Sequence, residues 1–139
     1  MALKERNLNI QVSLSDPKGS ALYNFYKHGE LKAEGSSITE GIGQGRETAN
    51  LVGAPIDDAY QVSDEEALPI IFDLLSNEGL CLGASSGINI AGAIRMAKEM
   101  GPGHNIVTIL CDFGARYLRK LFKVDGLKSR DLPYRDWVA

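Results

Sequence analysis

The chain is poor in the residues that build disulfide frameworks and metal centres, since its 139 residues include only two cysteines and two histidines. Cys81 and Cys111 lie far apart in two apolar runs, which predicts two buried free thiols rather than a disulfide or a metal-binding pair. His28 and His104 have no neighbouring cysteine or set of spaced carboxylates. We therefore expect no metal site.

The chain also lacks an excess of positive charge and any long hydrophobic run. Its formal net charge is −3 and its lysines and arginines are spread along the sequence, which argues against general binding to nucleic acid or to a membrane surface. No apolar run approaches the length of a membrane span, and the first residues are charged rather than signal-peptide-like. These features predict a cytoplasmic protein with no nucleic-acid or membrane partner.

What remains is the composition of an ordinary globular domain, 44% hydrophobic and 24% charged. Strand-like and helix-like stretches alternate along it, which is typical of an α/β fold with a parallel sheet and right-handed crossovers. The predicted strands are 8–14, 59–62, 80–82 and 105–111, and the predicted helices are 21–27, 64–77, 88–100 and 116–122. The run 105–111 is nearly continuous in apolar residues, so we expect a central strand covered on both faces.

The helix after the second strand has a start signal and a clear period. Ser63 and Glu66, three positions apart, form a predicted capping box, and Asn77-Glu78-Gly79 ends the helix. Its predicted apolar face consists of Ala67, Ile70, Ile71, Leu74 and Leu75.

The last stretch of the chain, 123–139, is polar and carries spaced apolar residues. These are Leu127, Leu132, Tyr134 and Trp137. We therefore divide the chain into a domain at 1–122 and a tail at 123–139 that packs on this domain or on a partner subunit.

Two glycine-rich stretches are candidates for a binding site. Gly79 to Asn89 reads as a buried strand, a tight turn and a helix start, where Ser85 and Ser86 are either plain helix caps or ligand contacts. Residues 35–53 form a long predicted loop that is either simply flexible or functional. Within it, Gly41 to Gly45 has a weak likeness to a phosphate-binding loop, which leaves a small nucleotide-binding α/β domain as one alternative.

Several motifs in one order resemble the C-terminal half of cysteine synthase and its relative cystathionine β-synthase. They cover most of residues 10 to 120. The matching segments are Asp16 to Ser20, Glu40 to Gly43, Val62 to Ala67, Gly79 to Gly87 and Ile109 to Tyr117. The resemblance implies a partial fold type II pyridoxal-phosphate (PLP) enzyme, a three-layer parallel-sheet domain of the tryptophan synthase β type.

The resemblance also implies roles for particular residues. Ser85 matches the family's serine that hydrogen-bonds the pyridine nitrogen of PLP, which leaves Ser86 as the cap. Gly41, Ile42 and Gly43 match a stretch that lines the cofactor and substrate cleft. Asp112 keeps its place in a motif that is otherwise altered, because Cys111-Asp112-Phe113-Gly114 stands where the family usually has Pro-Asp-Ser-Gly.

The activity implied by the family is β-replacement, in which the acetate of O-acetylserine is exchanged for sulfide to give cysteine. The family's Schiff-base lysine and phosphate loop lie in its N-terminal half, and neither motif occurs here. We therefore assign no catalytic residue and expect the C-terminal portion of a homodimeric enzyme, inactive alone. The alternatives are a non-catalytic binding or regulatory module derived from the same fold, and β-replacement of the cystathionine β-synthase type, with serine as substrate.

Overall fold

The structure is a computed structural model that describes residues 2–138. Its elements are α1 (Ala2–Arg6), β1 (Ser13–Pro17), α2 (Leu22–His28), β2 (Asp58–Val62), α3 (Asp64–Glu78), α4 (Ala84–Met100), a 3₁₀ turn (Gly114–Tyr117), α5 (Leu118–Leu121) and α6 (Val124–Lys128). Within the described residues, no helix is both long and apolar enough to cross a membrane.

The strands β1 and β2 form a parallel sheet, with Leu14 opposite Ala59. The predicted α/β class with a parallel sheet is therefore confirmed. The first strand was predicted to begin at residue 8, but it begins at Ser13. The residues before Ser13 form other hydrogen bonds instead of pairing with β2. The Asn7 side chain accepts a hydrogen bond from the Asn9 amide at 2.9 Å. The Val12 amide donates to the Asp57 carboxylate at 2.7 Å.

Two other predicted strands are absent from the described residues. The segment 80–82 contributes only an isolated antiparallel bridge between Leu82 and Phe113. The segment 105–111 has no regular secondary structure and pairs with no strand, and most of its side chains are exposed, with Val107 88% exposed and Ile109 65% exposed. A strand needs a neighbour for its backbone groups, and none lies beside this segment within residues 2–138.

The helix α3 follows its prediction in extent but differs in detail. Ser63 is the N-cap residue, yet its side chain makes no cap hydrogen bond, so the predicted capping box is wrong. Glu66 instead pairs with Arg95 of α4, whose Nε donates to it at 3.0 Å. The buried face is also rotated from the predicted one, because Leu68 and Phe72 are fully buried whereas Leu74 and Leu75 are only half-buried.

The helix α4 begins at Ala84, four residues earlier than predicted, and Gly83 is its N-cap residue. Small residues let it lie close to its neighbours. A Cβ on Gly87 would come within 2.6 Å of the Ala67 carbonyl oxygen of α3, and a Cβ on Gly92 would meet the Ser15 hydroxyl of β1. The helix α4 is therefore held close against both α3 and the sheet.

Two apolar clusters form the core. One lies between the sheet and the helices and contains Tyr60, Val62, Ala67, Ile88 and Ala91. The other joins α3 to the end of the chain and contains Ile38, Leu68, Ile71, Phe72, Ala84, Leu121, Leu127 and Val138. The Trp137 ring packs edge-on against Phe72 at 6.0 Å between centroids. The last stretch of chain thus contributes to the core of this protein.

The two cysteines are free, as predicted, but they are not buried. Cys81 is half-buried and Cys111 is exposed. Both were expected inside apolar strands, and the loss of those two strands from the described fold leaves their side chains near the surface.

Candidate functional site

The first turn of α4 presents two adjacent serines with different surroundings. Ser85 is 5% exposed and Ser86 is fully buried. The Ser86 hydroxyl accepts a hydrogen bond from the Cys111 amide at 2.9 Å. None of the side-chain hydrogen bonds within residues 2–138 involves Ser85, and no buried side-chain oxygen there is left sealed without a partner. The Ser85 hydroxyl is therefore unpaired and still reachable.

Neither serine is the helix cap, although Ser86 was predicted to be one. Gly83 holds that position in an extended conformation, and the helix continues through both serines. The reason is packing: Ser86 faces inward, where its oxygen ties the extended segment before Asp112 to α4. An N-cap serine would have to turn its oxygen towards the free amides of the first turn instead.

Asp112 lies directly beside the start of α4. Its carbonyl accepts a hydrogen bond from the Gly83 amide at 2.8 Å, and its carboxylate accepts one from the Tyr117 hydroxyl. This hydrogen bond raises the pKa of Tyr117, because the neighbouring carboxylate disfavours the charged phenolate. Asp112 thus fixes the backbone two residues ahead of Ser85.

The glycine-rich stretch 35–45 has no regular structure but is firmly tied at two places. At one end, the buried carboxylate of Asp64, the first residue of α3, accepts hydrogen bonds from the Ser37 hydroxyl at 2.5 Å and the Ile38 amide at 2.7 Å. At the other end, the Ser20 hydroxyl bonds both the amide and the carbonyl of Gln44, at 2.9 and 3.0 Å. These bonds hold both ends of the loop in place, which argues against the alternative that the loop is simply flexible.

Two glycines in this stretch need their special conformation. Gly41 and Gly43 have φ angles of 73° and 83°, which only glycine adopts without strain. A Cβ on Gly43 would lie 2.8 Å from the Ser20 Cβ, so the loop sits directly on the turn after β1. A Cβ on Gly41 would meet nothing within 4 Å, so the space beside its backbone is open.

A cavity of about 330 Å³ separates this loop from the turn that follows β1. Of the sequence-predicted site residues, Ile42 and Gly43 line it, together with Lys18, Gly19, Ser20 and Thr39. Ser85, Gly41 and Asp112 do not. The cavity therefore brings together only one half of the predicted set.

The two halves are linked through the tip of the loop. Glu40 forms an ion pair with Lys120 of α5, shortly after Asp112 and the 3₁₀ turn. Ile42 packs against the core cluster that contains Ile88, on the first turns of α4. The predicted residues thus lie on three connected segments, with Ser85 and Asp112 on one side and Gly41 to Gly43 on the other.

Sequence reasoning missed the residues that position the loop. Asp64 and Ser20 lie in the family-like segments, but no role in holding the loop was predicted for either. Asp16, at the end of β1, is 1% exposed and accepts a hydrogen bond from the Tyr23 amide at 2.8 Å. Burial raises the pKa of the Asp16 carboxyl. One signal in the sequence could have indicated them. Carboxylates that stand at or just after the ends of strands can accept hydrogen bonds from loop amides that are buried there.

Comparisons with known proteins place the chain beside one enzyme family. Residues 1–112 match the family model described as "Pyridoxal-phosphate dependent enzyme". The chain is 40% identical to cysteine synthase 2 of Schizosaccharomyces pombe, over 94% of this chain and 36% of that protein. It is 45% identical to cysteine synthase 1 of Emericella nidulans, over 88% of this chain and 34% of that protein.

A solved structure shares the fold. The crystal structure of O-acetylserine dependent cystathionine beta-synthase from Helicobacter pylori superimposes with a TM-score of 0.74 at 31% identity, covering 85% of this chain and 36% of that one. The chain therefore spans about a third of the length of the relatives that it matches.

Proposed function

The chain belongs to the family of pyridoxal-phosphate dependent enzymes, and we propose that it forms the pyridine-binding side of a cysteine-synthase active site. The observation that carries this proposal is the contrast between the two serines of α4. Ser86 is used by the fold, whereas Ser85 is only 5% exposed as a residue and its hydroxyl, still reachable, bonds no group within residues 2–138. A hydroxyl that the fold leaves unpaired in a largely enclosed position can donate or accept a hydrogen bond with a ligand.

The residues present fit PLP in two respects. Ser85 would hold the pyridine nitrogen by a hydrogen bond, and the open space beside Gly41 would let a flat ligand approach the backbone. When bound, PLP supplies the electron sink for exchange at the β-carbon of an amino acid. A neutral hydroxyl does not favour a charged ring nitrogen as a carboxylate would, so Ser85 would suit β-elimination and replacement.

The loop residues would bind the amino-acid substrate rather than carry out chemistry. Gly41, Ile42 and Gly43 lie between two backbone amides that are bonded to Asp64 and Ser20, so they would lose less conformational entropy on binding a substrate than a free loop. Asp112 would act as a positioning residue, because its carbonyl fixes the Gly83 amide at the start of α4. We propose O-acetylserine as the substrate class and a homodimer as the assembled enzyme.

The chain alone would lack β-replacement activity, since none of its lysines stands in the family's anchoring motif. Lys18 lines the cavity beside Ile42 but does not stand in that motif, and two other lysines are held in ion pairs. Lys120 pairs with Glu40, and Lys27 pairs with Asp58. The anchoring lysine would therefore come from the part of the enzyme that this chain does not span.

The proposal can be tested in a chimera in which this chain replaces the matching 36% of S. pombe cysteine synthase 2. We expect the chimera to retain PLP and to make cysteine from O-acetylserine and sulfide. The variant Ser85→Ala should lower the affinity for PLP about tenfold, as expected for one lost hydrogen bond worth roughly 1–1.5 kcal/mol.

The matched control is Ser86→Ala in the same chimera. It should keep the affinity for PLP and lower thermal stability, because it removes the acceptor of the Cys111 amide. Equal effects of both variants on PLP binding, or a chimera with wild-type sequence that retains no PLP, would contradict the proposal.

A second candidate function is β-replacement with a thiol amino acid as acceptor instead of sulfide. The structural likeness to an O-acetylserine dependent cystathionine β-synthase favours it. The same chimera distinguishes the two, because the rates with sulfide and with a thiol amino acid can be compared directly.

A further inference from the structure

A groove of about 530 Å³ lies between β1 and the extended segment 104–108. Ser13 and Ser15 of β1 line one side of it, and Val107 lines the other. Ala93 and Met96 of α4 complete the lining. This groove is separate from the cavity beside the glycine-rich loop.

Both sides of the groove are backbone edges without partners. Among the described residues, β1 pairs only with β2, so its other edge is open. No backbone amide from Asn105 to Leu110 donates a hydrogen bond within residues 2–138. The carbonyl of Ile109 accepts hydrogen bonds only from side chains, the Asn89 amide at 3.0 Å and the Cys111 thiol at 3.7 Å, within the described residues. Open edges of this kind are templates for an added strand.

The side chains of the segment also favour a strand and need cover. Val107 is 88% exposed, Ile109 is 65% exposed and Leu110 is 47% exposed. All three side chains are apolar, and those of Val107 and Ile109 are also β-branched. Such residues favour a strand inside a sheet. Contiguous apolar residues left in solvent mark an interaction surface. The element that would fill the groove is therefore an apolar β-strand.

The length of the solved relative points to a source for this neighbour. The fold of this chain recurs in the H. pylori enzyme, where the matching part makes up 36% of the enzyme's chain. The rest of that enzyme has no counterpart in this chain. We infer that the groove receives a β-strand from the part of the relatives' fold that this chain does not span. The strand would pair with β1 on one side and with 105–110 on the other. This inference rests on the proposed function in one point, that the partner is the rest of the same kind of enzyme.

The inference can be tested by co-expressing this chain with a tagged polypeptide that comprises the rest of S. pombe cysteine synthase 2, without the 36% that this chain matches. We expect the two to purify as a 1:1 complex. Hydrogen exchange of the amides at 105–110 should slow at least about tenfold relative to the chain alone, because they gain hydrogen-bond partners.

The variant Val107→Asp should weaken the complex about tenfold or more, since it places a charge where a valine would be buried. The valine is exposed in the chain alone, so the variant should leave its far-UV circular dichroism unchanged. The matched control is Val52→Asp, because Val52 is also exposed, at 65%, but does not line the groove. This control should bind as the wild type does.

Several results would overturn the inference. One is a tagged polypeptide that purifies alone or remains insoluble despite the chain, and another is a complex without protection at 105–110. Protection that depends on the concentration of the chain by itself would assign the groove to a second copy instead. These readouts need no PLP and no turnover, so they can fail while the chimera of the preceding subsection remains active, and the reverse also holds.

Discussion

The contact of Gly87 with α3 gives the sharpest test of how the Ser85 segment is positioned. Gly87 lies two residues after Ser85 on α4, and a Cβ there would stand 2.6 Å from the Ala67 carbonyl oxygen and 3.1 Å from the Ile71 Cγ2. The first of these atoms is backbone, so no side-chain rotation can relieve the clash. The variant Gly87→Ala must therefore push α4 away from α3.

The expected magnitude follows from two opposing effects. Alanine favours a helix over glycine by about 1 kcal/mol, which stabilises the variant. Overpacking a well-filled interface typically costs about 1–3 kcal/mol, and a backbone clash belongs near the upper end of that range. The free energy of unfolding should therefore fall by about 2 kcal/mol, since the clash outweighs the gain.

The measurement is urea denaturation of this chain followed by far-UV circular dichroism, with Gly126→Ala as control. Gly126 also lies in a helix, α6, but a Cβ there would meet nothing within 4 Å. The control should be as stable as the wild type or more stable. A Gly87→Ala variant that matches this control would refute the close approach of α4 to α3, and with it the placement of Ser85.

Two further predictions concern titration and cofactor chemistry. The raised pKa of Asp16 means that the folded state holds this proton more tightly than the unfolded state, so its contribution to stability is present below pH 3.8 and is lost as the pH rises through the folded-state value. Asp16→Asn removes this titration, so its free energy of unfolding relative to wild type should increase with pH in a urea series, whereas a constant difference would speak against the burial effect. The chain alone, reduced with borohydride beside equimolar PLP and then gel-filtered, should carry no covalently bound pyridoxyl group; a bound group lost in Lys18→Gln would instead make Lys18, which lines the cavity beside Ile42, an anchoring lysine.

The parts of the fold that the sequence could predict are those with local causes. The strand at 58–62 and the helices α2 and α3 follow from periodicity and from glycines that end them, Gly29 and Gly79, both with positive φ. The predicted strand at 105–111 was wrong for a non-local reason. Its apolar residues are typical of a strand covered by neighbouring elements, but such neighbours are absent from residues 2–138.

The candidate site divides in the same way. The family motifs pointed to Ser85 and to Gly41 through Gly43, whose individual roles remain predictions. The loop's anchors could not be read from motifs, because the bond between Ser37 and Asp64 joins residues 27 positions apart. Likewise, the use of Ser86 depends on where the amide of Cys111 lies, which only the folded chain determines.

The groove and the candidate site are physically connected through α4. Two side chains of this helix hold the segment that lacks a neighbouring strand. Ser86 accepts a hydrogen bond from the Cys111 amide, and Asn89 donates to the Ile109 carbonyl and to the Cys111 sulfur. Asp112, the next residue, holds the Gly83 amide at the helix start. A strand that fixes 105–110 in a sheet would therefore also restrain the turn that carries Ser85. If Ser85 binds the pyridine ring as proposed, a chain without its partner strand should bind PLP more weakly than the chimera even though Ser85 is present, because completing the sheet would also restrain Ser85.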